Sequence, residues 1–198
     1  EEEARRLYVD PIDFGSLFGK ARERGTPIVV WDVGMGAATN AMAGLGSAMK
    51  SGSAVPRPGL LLRMESFERD LDSFRLALLH PYRFRHLRHS APFSIGREGK
   101  WASECGRFEW TLFSGDFEER MAEASAPDLI LFDPFSSKVD SPLWRTEVFR
   151  RIREGAAEKR GDRFTYSNSN LVRGRLLAAG WYLAKGAETG PKSETTIA

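Results

Sequence analysis

"TPIVVWDVGMGAATNAMAGLG" (residues 26–46) changes character twice. Ile28 to Val33 is β-branched and apolar, Gly34 and Gly36 interrupt it, and Ala37 to Leu45 suits a helix of small residues. Strand, glycine turn and helix in that order form the opening unit of a sheet whose strands are joined by helices. The turn leaves Asp32 at the end of the strand.

The same alternation continues downstream. "MKSGSAVPRPG" (49–59) is a loop, and "LLLRMESFE" (60–68) is a second strand closing in acids. Leu71, Phe74 and Leu78 form the stripe of an amphipathic helix, which His80-Pro81 ends. Residues 90–106, rich in Gly and Ser, are expected to be irregular and mobile. "RFEWTLFSGD" (107–116) alternates like a strand and ends in Gly-Asp, and "FEERMAEASAP" is a short helical connection.

In "DLILFDPFSSK" (128–138), Leu129 to Phe132 can be buried on both faces of a sheet, while Pro134 has no N–H to extend the ladder. Asp133 therefore stands at the carboxyl end of a central strand, the edge where open α/β sheets bind ligands. Taken alone, a strand followed by an Asp-Pro turn is the favoured account.

Pro142 starts a helix with Trp144, Val148 and Ile152 on one face, at the spacing of a core residue rather than a base-stacking platform. "RFTYS" (163–167) is a strand, "SNLVRGRLLAAG" (169–180) a helix closed by Gly180, and the remainder two strands around a Gly-containing turn. The expected architecture is α/β: a doubly wound, mostly parallel sheet with a C-terminal antiparallel hairpin, in a single domain over residues 1–198 without internal repeats.

The 198 residues are 41% hydrophobic and 28% charged, an ordinary globular balance. A lone Cys105 excludes an internal disulfide and a cysteine-based zinc site, and fits a reducing, cytoplasmic setting. No apolar run approaches the roughly 18 residues of a membrane helix, and no signal peptide is visible. The chain opens on Glu1 rather than Met, so some preceding natural sequence is expected.

Net charge is only +2 but unevenly spread. "PYRFRHLRH" (81–89) holds three arginines and two histidines, and 144–163 is a second arginine-rich block. Such blocks serve either as phosphate-binding surfaces or as solvated helix faces. His86 and His89 have no third ligand in view and read as part of the basic segment, not as a metal site.

As a dinucleotide loop, "WDVGMGAAT" is poor: Thr39 replaces the third glycine of G-x-G-x-x-G, and Glu65 and Glu68 follow Gly36 by 29 and 32 residues, beyond the usual ~20. S-adenosylmethionine (SAM) fits better. It has no pyrophosphate and needs only the close backbone approach that Gly34 and Gly36 allow. Asp32 is placed to hold its amino-acid end, directly or through water. A carboxylate closing the second strand would accept the ribose hydroxyls, and Asp116 the adenine amino group.

"VWDVGMGAATNAMAGL", "ESFERDL", "FSGDF", "LFDPFSSKVDSPLWRTEVFRRI" and "LVRGRLLAAGWYLAKGAETGPKSETTIA" occur here in the order found in the methyltransferase domain of the MnmC family. The chain resembles that domain of the tRNA 5-methylaminomethyl-2-thiouridine biosynthesis proteins over nearly its whole length. The resemblance implies a class I SAM-dependent, Rossmann-like fold and methyl transfer to the amine of 5-aminomethyluridine at the tRNA wobble position.

Residue by residue, it assigns Asp32, Gly34, Gly36 and Asn40 to the cofactor loop, prefers Glu68 to Glu65 for the ribose, and puts Asp116 at the adenine. Asp133, with Pro134 and Phe135, falls beside the reacting amine. Lys138, Arg145 and Arg173 are the candidates for tRNA phosphates. The family often has Gly-Thr-Gly-Leu-Asn where this chain has Gly36-Ala37-Ala38-Thr39-Asn40. The flavin oxidase domain of bifunctional members is not expected here, so a separate FAD-dependent oxidase is an expected partner. Two alternatives stay open: N-methylation of another amine, and a non-catalytic tRNA-binding partner of a separate oxidase.

Overall fold

Ile28–Val33 is buried at every position, which requires a strand covered on both faces. In the computed structural model, which describes residues 10, 12–53, 59–134, 142–156, 162–165, 169–185 and 196–198, this is β1. It pairs in parallel with β2 (Leu62–Glu68) on one side and β5 (Leu129–Phe132) on the other. The sheet continues through β4 (Phe108–Ser114) beyond β2 and β6 (Asp162–Thr165) beyond β5, all parallel.

β3 (Lys100–Ala102) lies antiparallel to β4 at one edge. At the other edge β8 (Thr196–Ile197) lies antiparallel to both β6 and β7 (Ala184–Lys185). The order β3-β4-β2-β1-β5-β6-β8-β7 reverses direction between β1 and β5, which opens the crevice used for ligands in such sheets. β7 and β8 are the expected C-terminal hairpin; its turn lies outside the described residues.

Helices cover both faces. α1 (Phe14–Arg24), α2 (Thr39–Gly52), α3 (Asp72–Leu78) and α4 (Ser90–Glu98) bury Phe18, Leu45, Phe74 and Ile95 against Ile28, Val30, Met64 and Trp110. On the opposite face, α5 (Phe117–Arg120), α6 (Thr146–Ala156) and α7 (Asn170–Ala178) bury Phe117, Phe149, Ile152 and Leu176 against Val29, Trp31, Phe67 and Phe132. Trp144 belongs to this second core, its ring edge-on to Phe132 at 5.2 Å, as its helical spacing predicts.

Residues 90–106 are not irregular. Ser90–Glu98 is helical, begun by His89, whose Nδ1 accepts from the Ala91 N–H at 3.1 Å, and stopped by left-handed Gly99 (φ 70°). Ala91 and Ile95 face the core, and β3 follows at once. The stripe is too short to show as a period in the sequence, and the glycine that suggests a loop is a helix stop. At the start of β5, Asp128 is structural: it accepts from the Val29 N–H at 2.9 Å and pairs with Arg24 at 2.7 Å.

Candidate active site

At the carboxyl edge of β2, β1, β4 and β5 a pocket of about 400 Å³ opens. Its wall is formed by the turn after β1 (Gly34, Gly36), the end of β2 (Glu68, Arg69, Asp70), the turn after β4 (Gly115, Asp116) and Asp133-Pro134 after β5. Four separate strand ends thus meet at one cavity.

The two loop glycines are required for different reasons. A Cβ on Gly34 would lie 2.5 Å from Pro134 Cα and 2.6 Å from Asp133 O, so the turn after β1 touches the turn after β5 backbone to backbone. A Cβ on Gly36 would meet nothing within 4 Å, and this position opens onto the pocket. Both have positive φ, 82° and 50°.

Hydrogen bonds tie the strand ends together. The Gly36 N–H donates to Glu68 Oε2 at 2.9 Å, while Glu68 Oε1 accepts from the Arg69 and Asp70 N–H groups at 2.9 and 3.1 Å. Asn40, in the first turn of α2, donates from Nδ2 to Asp133 Oδ2 at 2.9 Å. The Asp133 N–H donates to Val33 O at 2.9 Å, and the Gly115 N–H to Glu68 O at 3.0 Å. Asp116 caps α5 through the Glu118 N–H at 2.8 Å.

Asp32 lies beneath the wall rather than on it, with no exposed surface. Its Oδ2 accepts from the Ser66 hydroxyl at 2.8 Å, and that hydroxyl accepts from the Trp110 indole N–H at 2.9 Å. Its Oδ1 is buried with no hydrogen-bond partner among the described residues. Burial pushes its carboxyl up to about 7; the Ser66 bond opposes this, and the neighbouring Asp133 and Glu68 charges add to it.

Some of the residues singled out by sequence lie elsewhere. Glu65 is on the other face of β2, where it accepts from the Trp31 indole N–H at 3.1 Å and the Ser125 N–H at 3.0 Å. Burial raises its carboxyl pKa, with the Ser125 and Trp31 bonds opposing. A residue three before the strand end points to the opposite face from Glu68, because successive side chains alternate.

Arg145 donates to Glu118 Oε1 at 2.7 Å, and Arg173 donates to Thr196 Oγ1 at 3.1 Å. Phe135 and Lys138 lie outside the described residues. The described residues hold no cluster of His, Cys, Asp and Glu fit for a metal. His86 donates from Nε2 to Ala37 O (2.9 Å) and His89 caps α4, so both histidines have structural work. Asp70 was missed from the sequence: it lines the pocket two residues past Glu68, and its only signal was an acid ahead of a helix.

Residues 83–198 match the family described as S-adenosyl-L-methionine-dependent methyltransferase. The chain belongs to this family. Curated protein sequences give no match. Among solved structures, MnmC2 from Aquifex aeolicus is similar to the methyltransferase at 26% identity with a TM-score of 0.70, over 98% of this chain and 59% of that one. This chain therefore spans less than two thirds of MnmC2's length.

A precorrin-6y C5,15-methyltransferase from Geobacter metallireducens is 11% identical (TM-score 0.47, 93% of this chain and 84% of that one). An O-methyltransferase from Bacillus cereus in complex with SAH is 12% identical (TM-score 0.45, 96% and 80%). No helix among the described residues is long and apolar enough to cross a membrane.

The cofactor of the methyltransferase is SAM, and the residues present suit it. Gly36 leaves open space at the wall, and the buried Oδ1 of Asp32 lacks a donor among the described residues. Further acids (Glu68, Asp70, Asp116) border the cavity. Such a site suits a ligand that carries a cationic sulfur, an ammonium and a ribose.

Proposed function

We propose that the methyltransferase acts on the amine of 5-aminomethyluridine, or its 2-thio form, at the wobble position of tRNA. The observation that carries this reading is Asp133, a half-buried carboxylate on the pocket wall whose Oδ2 is held by Asn40. The likeness to MnmC2 and the Asp-Pro-Phe order after the central strand support it. An FAD-dependent oxidase activity would supply the free amine that this chain methylates.

SAM, when bound, supplies a methyl group on a sulfonium. The chain's residues contribute position and charge. Holding two reactants in line removes roughly 7–11 kcal/mol from such a barrier. Asp133 accepts a hydrogen bond from the neutral amine, which aims the lone pair, and its negative charge stabilises the nitrogen as that atom becomes cationic. A free carboxylate is too weak a base to deprotonate an alkylammonium, so the amine arrives neutral. Asn40 fixes the carboxylate, and Pro134 fixes the backbone that carries it.

On the cofactor side, full burial of Asp32 leaves only the water-mediated hold on the amino-acid end. Glu68 has three backbone donors on its two oxygens, which leaves room for about one more. The ribose hydroxyls are therefore shared between Glu68 and Asp70. Asp116 takes the adenine amino group.

The test is labelled methyl transfer to tRNA from cells blocked before this methylation, followed by mass analysis of the wobble nucleoside. The expected result is a single added methyl on the side-chain amine. Asp133→Ala should abolish transfer while SAM affinity stays within a few-fold. Transfer to some other amine but none to this RNA would remove the tRNA reading, and loss of SAM binding in Asp133→Ala would remove the role given to that residue.

A further inference from the structure

The segment Tyr82–Arg88 is built outward from the catalytic edge. Leu87 is fully buried, Phe84 packs against the same core, and His86 Nε2 sits 2.9 Å from Ala37 O, the residue next to pocket-lining Gly36. These three anchors turn the remaining side chains to solvent. Tyr82 is 63% exposed, and Arg83, Arg85 and Arg88 are exposed as well.

None of these three guanidiniums has an ion-pair partner among the described residues. Arg83 lies over the Tyr82 ring at 5.9 Å, and Arg88 donates to Pro81 O at 3.2 Å, which folds the segment on itself. The result is an aromatic ring and three cations without an ion-pair partner among the described residues, on a short, pinned element.

In the other basic block Arg145 and Arg151 both donate to the Glu118 carboxylate, which commits these two cations within the fold, while Arg150 and Arg153 are exposed with no ion-pair partner among the described residues. What sets the Tyr82–Arg88 segment apart is its exposed aromatic ring and its anchoring beside Gly36.

The geometry points to Tyr82, Arg83, Arg85 and Arg88 as the surface that holds the RNA backbone beside the methylated base, with Tyr82 stacking on an unpaired neighbour. This deepens the tRNA reading and rests on it. Single-stranded RNA is the occupant that the chemistry favours. Phosphates spaced along a strand match spaced arginines, and an exposed aromatic face accepts any base. The anchoring through Ala37 places the surface at the mouth of the cofactor loop, where a flanking nucleotide must pass if its neighbour is to reach Asp133.

The test is a salt titration of binding to an RNA stem–loop of anticodon size, read by fluorescence anisotropy. Wild type is compared with R83Q/R85Q/R88Q, Tyr82→Ala and Arg145→Gln. Each lost phosphate contact lowers the slope of log K against log[salt] by about 0.7 on single strands, so the triple variant should lose about two units of slope. It should also bind on the order of tenfold to a hundredfold more weakly. Tyr82→Ala should weaken binding about fivefold or more at unchanged slope. Arg145→Gln should leave both unchanged.

SAM affinity, the melting temperature and methylation of the free nucleoside should be unaltered in the triple variant, which shows an intact fold and cofactor site. Wild-type slope and affinity in the triple variant would overturn the assignment, as would transfer to that slope of Arg145. RNA bound through this surface but never methylated would leave the surface standing and overturn the substrate. RNA methylated equally by the triple variant would do the reverse.

Discussion

Asp32 and Asp128 are both buried aspartates on neighbouring strands, at opposite edges of the sheet. Asp128, at the amino edge, has one oxygen on the Val29 N–H and the other on Arg24. Asp32, at the carboxyl edge, has only Ser66, and its Oδ1 has no partner among the described residues. The first carboxylate is neutralised by the chain itself and holds strand to helix. The second has no donor on Oδ1 among the described residues, and burial raises its pKa. A buried acid satisfied internally supports the fold, whereas one left short is where we propose that the ligand acts.

The largest effect expected from this contrast is a reversal of sign at Asp32. A carboxyl moved from 3.8 to about 7 by folding binds its proton more tightly in the native state. Native stability is therefore lost as pH rises from about 4 through about 7, by up to about 4 kcal/mol above that range. Asp32→Asn should abolish this loss. Urea titrations should show the variant more stable than wild type at pH 8 and converging with it near pH 4, while SAM binds about tenfold to a hundredfold more weakly. A variant less stable at both pH values would break the comparison.

Asp128→Ala should do the opposite. It leaves Arg24 and the Val29 N–H without their acceptor and should cost about 3 kcal/mol at neutral pH. SAM affinity of the folded protein should stay within a few-fold, measured by calorimetry well below the unfolding transition.

A smaller effect sharpens the role of Asp32. Ligand binding that ionises it releases a proton, so at pH 6 calorimetry in buffers of different ionisation heat should detect most of one proton released per SAM. Affinity should rise as pH rises through about 7. Asp32→Asn should release none.

The smallest effect separates the two glutamates of β2. Glu68→Gln should weaken SAM binding roughly tenfold, the cost of about one charge-assisted hydrogen bond. Glu65→Gln should leave it within about twofold.

These contrasts show which parts of the site were legible in the sequence. The β1 turn was readable because Gly34 and Gly36 break an apolar run. Asp133 was readable because Pro134 ends a strand by its lack of an N–H. Glu68 was preferred to Glu65 through the family resemblance, and strand alternation accounts for their opposite faces. The burial of Asp32 was not readable, because it depends on how α2 covers β1. Nor was the commitment of Arg145 to Glu118 or of Arg173 to Thr196, since those partners are far apart along the chain. The helix at Ser90–Glu98 was hidden by its shortness and by a capping glycine that looks like a loop residue.

The contact of Gly34 with Asp133-Pro134 has a consequence for how this protein can vary. Any side chain at Gly34 would push directly on the backbone of Asp133-Pro134. The strand that ends in the glycine turn and the strand that ends in Asp133-Pro134 are therefore not independent parts. A lineage that reshapes the turn after β5 inherits the turn after β1 as a fixed template, and a substitution at Gly34 survives only alongside a compensating shift at 133–134.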